Sequence, residues 1–282
     1  MKRPPWLNKR INFEKCHELK ALLRGLRLNT ICEEASCPNI SECFSRGVAT
    51  FLILGNICTR NCRFCGVKKG RPRKIDPKEP ERIAEATLRL NLRHVVITSV
   101  TRDDIKDGGA EIFVKTIFYI RNKVKNITIE VLIPDFKGNK KAIEKVIEAR
   151  PDIVGHNIET VPRLYPYVRQ ANYLRSLNIL KTIKRLNSKI YTKSGLMVGL
   201  GEKEEEVLEV FRALREVNCD FLSIGQYLPP SLRHFPVKEY IHPDRFDYYK
   251  KMALEFGFTH VESGPYVRSS YLADRYLDKI KI

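Results

Sequence analysis

The 282-residue sequence has no long hydrophobic run. Crossing a bilayer takes about 18 or more consecutive apolar residues, so we expect no membrane-spanning segment and no membrane partner. The charged start of the chain is not followed by an apolar stretch, so we expect no secretory signal. Low-complexity tracts are also lacking. These absences favour an ordinary globular protein.

Acidic residues are scarce relative to basic ones: 33 Asp and Glu stand against 51 Lys and Arg, a formal net charge of +18. A basic surface can bind nucleic acid through its phosphates. However, the densest basic run, residues 68–74, contains no aromatic residue on which a base could stack. We therefore expect an acidic protein or an anionic substrate, and no nucleic acid, as the partner. A merely solvated basic surface is the alternative.

Six of the eight cysteines are clustered near the N-terminus. They form a first triplet, Cys32, Cys37 and Cys43, and a second triplet, Cys58, Cys62 and Cys65. A chain of this length can build a core without disulfides, and clustered cysteines indicate metal binding in a reducing compartment. We therefore expect a cytoplasmic protein.

Three thiolates leave one coordination position open, because a structural zinc site and an iron–sulfur cluster both normally have four ligands. Two triplets thus suggest two clusters, each with an unusual fourth ligand. The short spacing of the second triplet lets one loop hold three corners of a 4Fe–4S cluster, and its open iron can chelate S-adenosylmethionine (SAM). A zinc loop with a distant fourth ligand is the alternative, although zinc loops usually contain Cys-x2-Cys pairs.

After residue 48 the sequence alternates β-branched runs with amphipathic segments. The predicted strands are 49–55, 94–99, 127–133, 152–156, 190–198 and 220–225. The predicted helices are 81–90, 110–123, 140–149, 172–186 and 204–217. Right-handed βα units predict an α/β fold, either a partial (βα)6 TIM-like barrel or an open wound sheet. Both place chemistry at the C-terminal ends of the strands, where the second triplet lies.

Three parts follow from this pattern. Residues 1–48 are predicted to form an N-terminal extension carrying the first triplet, and residues 49–225 the barrel core. Residues 226–282, rich in proline and aromatic residues, are predicted to form a closing C-terminal extension.

Polar residues follow two of the predicted strands. Ser99, Arg102 and Asp103 come after the second strand, and Asn157 and Glu159 come after the fourth. Each is a candidate contact to the ribose or methionine part of SAM. Capping a helix or closing a turn is the alternative role for such residues.

The second triplet has the spacing of radical SAM enzymes, and the sequence around it resembles the lipoyl synthase family along nearly the whole chain. The matching motifs are Pro5-Trp6-Leu7, Glu34-Ala35-Ser36-Cys37-Pro38-Asn39, Ala49-Thr50-Phe51-Leu52-Ile53-Leu54-Gly55, Ser99-Val100-Thr101-Arg102-Asp103-Asp104, Val131-Leu132-Ile133-Pro134-Asp135-Phe136, His156-Asn157-Ile158-Glu159-Thr160, Gly225-Gln226-Tyr227-Leu228 and Arg268-Ser269-Ser270-Tyr271. Phe44 and Asn56 depart from the residues common in the family, and neither is at a cluster-ligand position. The glycine-rich end of the fifth strand resembles an element that borders the adenine of SAM, which makes Gly199 a candidate contact.

The resemblance implies two 4Fe–4S clusters. The cluster of the second triplet would cleave SAM to a 5′-deoxyadenosyl radical. The cluster of the first triplet would be auxiliary and be consumed as the source of two sulfur atoms. In the family its fourth ligand is a serine of the Arg-Ser-Ser-Tyr motif, which corresponds here to Ser270, with Ser269 as the alternative. An alkoxide is harder than a thiolate and should leave iron more easily.

The substrate implied by the resemblance is an octanoyl chain on a lysine of an acidic lipoyl domain or glycine-cleavage H protein, with sulfur inserted at carbons six and eight. Further implied partners are an electron donor such as ferredoxin or flavodoxin and an iron–sulfur carrier protein. Two alternatives stay open. One is a radical SAM enzyme whose second cluster only relays electrons, and the other is a zinc-stabilised nucleic-acid-binding protein.

No catalytic residues are expected beyond the cluster ligands. Cys16 and Cys219 belong to neither triplet and are predicted to be small buried hydrophobic residues. His156 is expected at most at the edge of the pocket. No catalytic role is expected for the other histidines considered, His94, His234, His242 and His260.

Overall fold

The computed structural model describes residues 2–8, 16–45, 50–273 and 275–276. Its strands are β1 (Asn29–Thr30), β2 (Thr50–Ile53), β3 (Ile57–Cys58), β4 (Lys68–Lys69), β5 (His94–Ser99), β6 (Thr128–Leu132), β7 (Ile153–Gly155), β8 (Tyr191–Val198), β9 (Phe221–Gln226) and β10 (His260–Gly264). Its α-helices are α1 (Cys16–Gly25), α2 (Ile31–Glu34), α3 (Ile40–Ser45), α4 (Glu79–Arg89), α5 (Ala110–Lys123), α6 (Lys140–Glu148), α7 (Tyr165–Val168), α8 (Tyr173–Leu186), α9 (Glu204–Glu216) and α10 (Pro243–Glu255).

The main sheet has the strand order β1-β2-β5-β6-β7-β8-β9-β10, and β3 and β4 form a separate two-stranded ladder. From β2 to β10 every neighbouring pair in the main sheet is parallel, whereas β1 runs antiparallel to β2. Every residue of β2 and β9 is buried. Burial on both faces is typical of a parallel sheet covered by helices, and it explains the continuous apolar runs.

The predicted partial barrel is confirmed, with the six predicted strands and five predicted helices within two residues of their expected bounds. Position 49 lies outside the described residues. The structure adds α10 and a seventh parallel strand, β10, from the segment after residue 226. This strand has the sequence His-Val-Glu-Ser-Gly, with one β-branched residue and a buried glutamate, so it lacks the usual strand pattern.

The N-terminal region packs onto the edge of the barrel. Leu19, Leu23 and Leu28 are buried in the same hydrophobic core as the barrel strands. Helix α2 begins where Thr30 Oγ1 accepts a hydrogen bond from the Glu33 amide at 3.3 Å, an N-cap that ends the short β1 strand. The division of the chain at residues 48 and 226 stays a prediction, although both flanking segments contribute strands to the main sheet.

Two smaller expectations concern single residues and the membrane. Cys219 is fully buried, as predicted. Cys16 begins α1, but its side chain lies outside what the structure describes. No helix within the described ranges has the length and apolar character needed to span a bilayer.

Candidate active site

A cavity of about 520 Å³ lies at the C-terminal ends of the parallel strands. It is lined by the final residues of several of these strands, among them Ser99 of β5 and Leu132 of β6. Its lining also includes the cysteines of both triplets, Cys32, Cys37, Cys43, Cys58, Cys62 and Cys65, and the serine pair Ser269 and Ser270. The structure therefore brings two distant parts of the chain to one place.

The second triplet occupies the segment from the end of β3 to the residues before β4. The amide of Arg60 donates a hydrogen bond to Cys58 Sγ at 3.4 Å, and the amide of Gln170 donates one to Cys62 Sγ at 3.3 Å. Burial, together with the nearby Cys62 and Cys58 thiols, raises the pKa of Cys65 to about 12. The positive charge of a bound metal centre would favour the thiolate of Cys65, and amide donors to sulfur are typical around iron–sulfur clusters.

The arrangement of the cysteines bears on whether they would hold a single metal ion or a cluster. Across the described part of the chain, no three His, Cys, Asp or Glu side chains are arranged to hold a single metal ion. The three sulfurs of the second triplet instead lie along the wall of one cavity. Three cysteines would be suitable protein ligands for a 4Fe–4S cluster, which is usually held by Cys thiolates.

Arg60 anchors the loop of the second triplet to the barrel. Its Nε lies 2.7 Å from Asp103 Oδ2, and its Nη2 lies 2.5 Å from Asp135 Oδ1. Arg175 contacts the other oxygen of Asp135 at 3.1 Å. Burial alone would raise the pKa of Asp135, but the Arg60 guanidinium holds it well below its ordinary value. Asp103, a candidate SAM contact from the sequence, is thus engaged in positioning the loop.

Three of the predicted SAM contacts line the cavity, namely Ser99, Asn157 and Glu159. Ser99 Oγ is buried and has no hydrogen-bond partner among the described residues. Asn157 Nδ2 donates to Glu159 Oε1 at 3.1 Å and to Ser269 Oγ at 2.7 Å. A buried hydroxyl without a partner costs free energy unless a ligand satisfies it, so this wall fits a polar cofactor.

Arg102 and Gly199 are not part of the cavity lining. Arg102 forms an ion pair with Asp104 at 2.9 Å and donates to the Leu54 carbonyl at 3.2 Å. Gly199 has a φ of 97°, and a Cβ atom there would collide with Gln226. The structure therefore places these two candidates outside the cavity lining, where each has local contacts of its own, and their contact with SAM stays a prediction.

Arg169 and His156 are lining residues that the sequence analysis missed or undervalued, as it missed Arg60. Arg169, which follows α7, donates to the backbone oxygen of Asn157 and lies 2.7 Å from the Tyr165 hydroxyl. His156 lies at the cavity wall, where burial lowers its pKa to about 3 and keeps the ring neutral. Arg169 lies 14 residues beyond the end of β7, and a basic residue in the connection after a parallel strand is the signal that would have pointed to it.

The first triplet lies on α2, α3 and the turn between them. Burial, with a contribution from Cys37, raises the pKa of Cys32 to about 12. The C-terminal segment lies against this region, since Asn39 Nδ2 donates to the Tyr266 carbonyl at 2.6 Å. The Tyr271 hydroxyl also donates to Glu42 Oε1, on α3, at 2.9 Å.

The two serines differ in their contacts. Ser269 Oγ accepts the hydrogen bond from Asn157, whereas Ser270 makes no side-chain hydrogen bond to another described residue. On either side of this pair, Arg268 lies near Cys37 and Tyr271 lies near Cys43. Ser270 is therefore the serine whose hydroxyl is available near the first triplet.

The model of the radical SAM superfamily matches residues 52–214. The lipoyl synthase of Caldicellulosiruptor saccharolyticus is 59% identical over 275 residues, which cover 97% of this chain and 96% of that relative. The lipoyl synthase of Caldanaerobacter subterraneus is 56% identical with the same coverage of both chains. The X-ray structure of the FeFe-hydrogenase maturase HydG from Carboxydothermus hydrogenoformans has a TM-score of 0.58 at 17% identity, covering 81% of this chain and 65% of that one.

The fold and the family match together define a radical SAM enzyme. This supports one 4Fe–4S cluster and SAM as its cofactors. Within that superfamily the chain belongs to the lipoyl synthase family, because the similarity to its members extends over nearly the full length of both sequences.

Proposed function

We propose that this enzyme is a sulfurtransferase that inserts two sulfur atoms, at carbons six and eight, into an octanoyl chain carried on a lysine of another protein. The carrier would be an acidic lipoyl domain or H protein. The observation that carries the proposal is the single cavity lined by both cysteine triplets, by Ser270 and by the polar wall of Ser99, Asn157 and Glu159.

The second triplet would hold a 4Fe–4S cluster whose open iron binds SAM. When bound, these groups supply a 5′-deoxyadenosyl radical, which can remove a hydrogen atom from an unactivated carbon. Arg60 would keep the loop in place through Asp103 and Asp135. Asn157 and Glu159 would orient the cofactor, and Ser99 offers it an otherwise unsatisfied hydroxyl.

The first triplet would hold an auxiliary 4Fe–4S cluster with Ser270 as its fourth ligand. This cluster would be the sulfur-donating substrate of the reaction, and an iron–sulfur carrier protein would rebuild it. The support is the position of the Arg-Ser-Ser-Tyr segment beside Cys37 and Cys43, together with the engagement of Ser269 by Asn157. A serine alkoxide would release iron more readily than a fourth thiolate.

The remaining cavity wall suits an aliphatic chain. Apolar side chains such as Leu132, Ile133 and Leu196 line it beside the polar groups. A volume of about 520 Å³ lies within the usual range of about 300–1,000 Å³ for small-molecule sites. These residues would exclude water while the hydrogen atoms at carbons six and eight are replaced by sulfur.

The test is anaerobic reconstitution followed by mass spectrometry of an octanoyl-lysine peptide incubated with SAM and dithionite. We expect sulfur to replace one hydrogen at each of carbons six and eight, with loss of the auxiliary cluster. A desaturated product with both clusters intact would favour the electron-relay alternative. A colourless, zinc-loaded protein that is active would contradict the proposal.

A further inference from the structure

The loop of the second triplet has two faces. Arg60, Cys62 and Phe64 line the cavity, whereas the intervening Asn61 and Arg63 are exposed and do not. The thiols and the solvent are therefore separated by little more than the loop itself.

Other exposed residues surround the outer face of this loop. Arg63 Nη1 donates to the backbone oxygen of Tyr167, a side chain that is 61% exposed. On the other side, the loop containing the fully exposed Leu232 contacts the triplet, with His234 Nε2 lying 3.1 Å from the Cys65 carbonyl oxygen. We name this surface the outer collar; its members are Asn61, Arg63, Lys68, Tyr167, Leu232 and Arg233.

The charge of the outer collar has one sign. Three segments contain or surround the second triplet, and none of them has an Asp or Glu residue. They contain seven Lys or Arg residues in 58–74, three in 161–175 and two in 227–238. Among the described residues, no acidic side chain forms an ion pair with Arg63, Lys68 or Arg233. Exposed apolar side chains surrounded by uncompensated cations are typical of a surface that binds an acidic protein.

We propose that the outer collar is the docking surface for a small acidic electron-carrier protein, which reduces the cluster of the second triplet. This inference rests on the cluster assignment in the proposed function. One electron leaves the carrier and one enters the cluster, so the carrier is oxidised by one equivalent and no proton or group is transferred.

The position of the outer collar, next to Cys62, is suited to an electron carrier. An octanoyl-lysine arm must enter the cavity to react, but the collar residues lie outside its lining. An electron, by contrast, needs only a short path to the cluster, and Arg63 is the direct neighbour of Cys62.

The test uses the holoenzyme with the double substitution Lys68→Glu and Arg233→Glu, both exposed positions. The matched control is Lys125→Glu with Lys189→Glu, two exposed residues in the loops before β6 and β8, at the opposite end of the barrel. A recombinant acidic flavodoxin serves as the probe. Its affinity is measured by titration, and cluster reduction by anaerobic stopped-flow absorbance, at low and at high salt.

We expect the collar variant to bind flavodoxin more weakly and to be reduced at least about tenfold more slowly at low salt, because electrostatic steering acts on association. The difference should shrink as salt screens the charges. The control variant should behave like the unaltered protein, and reduction by dithionite should be equal in all three. Replacing Leu232 by Ser, which changes no charge, should also weaken flavodoxin binding.

Equal flavodoxin affinity in the collar and control variants would overturn the inference. So would an equal loss of affinity for an octanoylated lipoyl domain, because the surface would then serve the substrate carrier. The proposed function fails separately, if dithionite-reduced enzyme does not modify the octanoyl peptide although flavodoxin still reduces its cluster through the outer collar.

Discussion

The two cysteine triplets line one cavity but are held by different means. The second triplet lies in a single short loop, and Arg60 ties that loop to Asp103 and Asp135 beyond two parallel strands. The first triplet lies on two short helices outside the parallel strands, where the partners of Asn39 and Glu42 come from the far end of the chain.

This difference suits the two roles that we propose. A resident cofactor gains from a rigid site, and the second triplet is fixed to the barrel by a largely buried ion-pair network. A cluster that is consumed must be opened and rebuilt. The segment after β10 lies against the first triplet, and side-chain hydrogen bonds connect the two.

The largest expected effect comes from removing one cysteine of each triplet. Two 4Fe–4S clusters hold about eight iron atoms per chain. We expect Cys37→Ala and Cys62→Ala each to retain about four, because each variant loses a different cluster. Only Cys37→Ala should still cleave SAM, measured as 5′-deoxyadenosine formed with dithionite.

The control for this comparison is Cys219→Ala, since Cys219 is buried and does not line the cavity. It should keep the full iron content. Loss of SAM cleavage in Cys37→Ala would contradict the proposal that the second triplet alone holds the cluster that cleaves SAM.

The next effect separates the two serines. We expect Ser270→Ala to lower sulfur transfer by about tenfold or more, because loss of even an outer-sphere partner costs about 10–100-fold in metal affinity. Ser269→Ala removes the acceptor of Asn157 and should leave the auxiliary cluster in place. Product analysis and the iron content of both variants test this, and the opposite ranking would assign the ligand to Ser269.

The smallest effect concerns how the second triplet is held. Arg60→Met leaves the carboxylate of Asp135 buried without its main partner, which should lower the free energy of unfolding by about 3–5 kcal/mol. Arg89→Met breaks only the exposed ion pair with Glu85 and should lower the free energy of unfolding much less, because solvent screens an exposed pair. Denaturant unfolding of the cluster-free protein compares them. An equal loss of unfolding free energy in the two variants would show that the Arg60 network does not stabilise the loop.

Much of the fold was predictable because its signals are local. The β-branched runs and the amphipathic segments identified six of the seven parallel strands. Strand β10 was not predicted, because tertiary pairing with β9, rather than its own composition, makes it a strand. The rule that parallel strands present chemistry at their C-terminal ends correctly placed Ser99, Asn157 and Glu159 at the cavity.

The same rule could not tell Arg102 and Gly199 from the true lining residues, because it specifies the end of a strand and not the contacts of each side chain. Arg102 turns instead to Asp104 and to the Leu54 carbonyl. Arg60 was missed for a related reason, since its partner Asp135 is 75 residues away along the chain.

The sequence by itself determined the two triplets, their spacing, the barrel and the family, because each depends on residues that are close together or on motifs in a fixed order. Only the tertiary structure decided that both triplets share a cavity, that Asn157 engages Ser269 while Ser270 stays available, and that the cluster loop has an exposed basic face. These features arise where segments that are distant in the sequence pack together, and the spacing of residues along the chain does not predict such contacts.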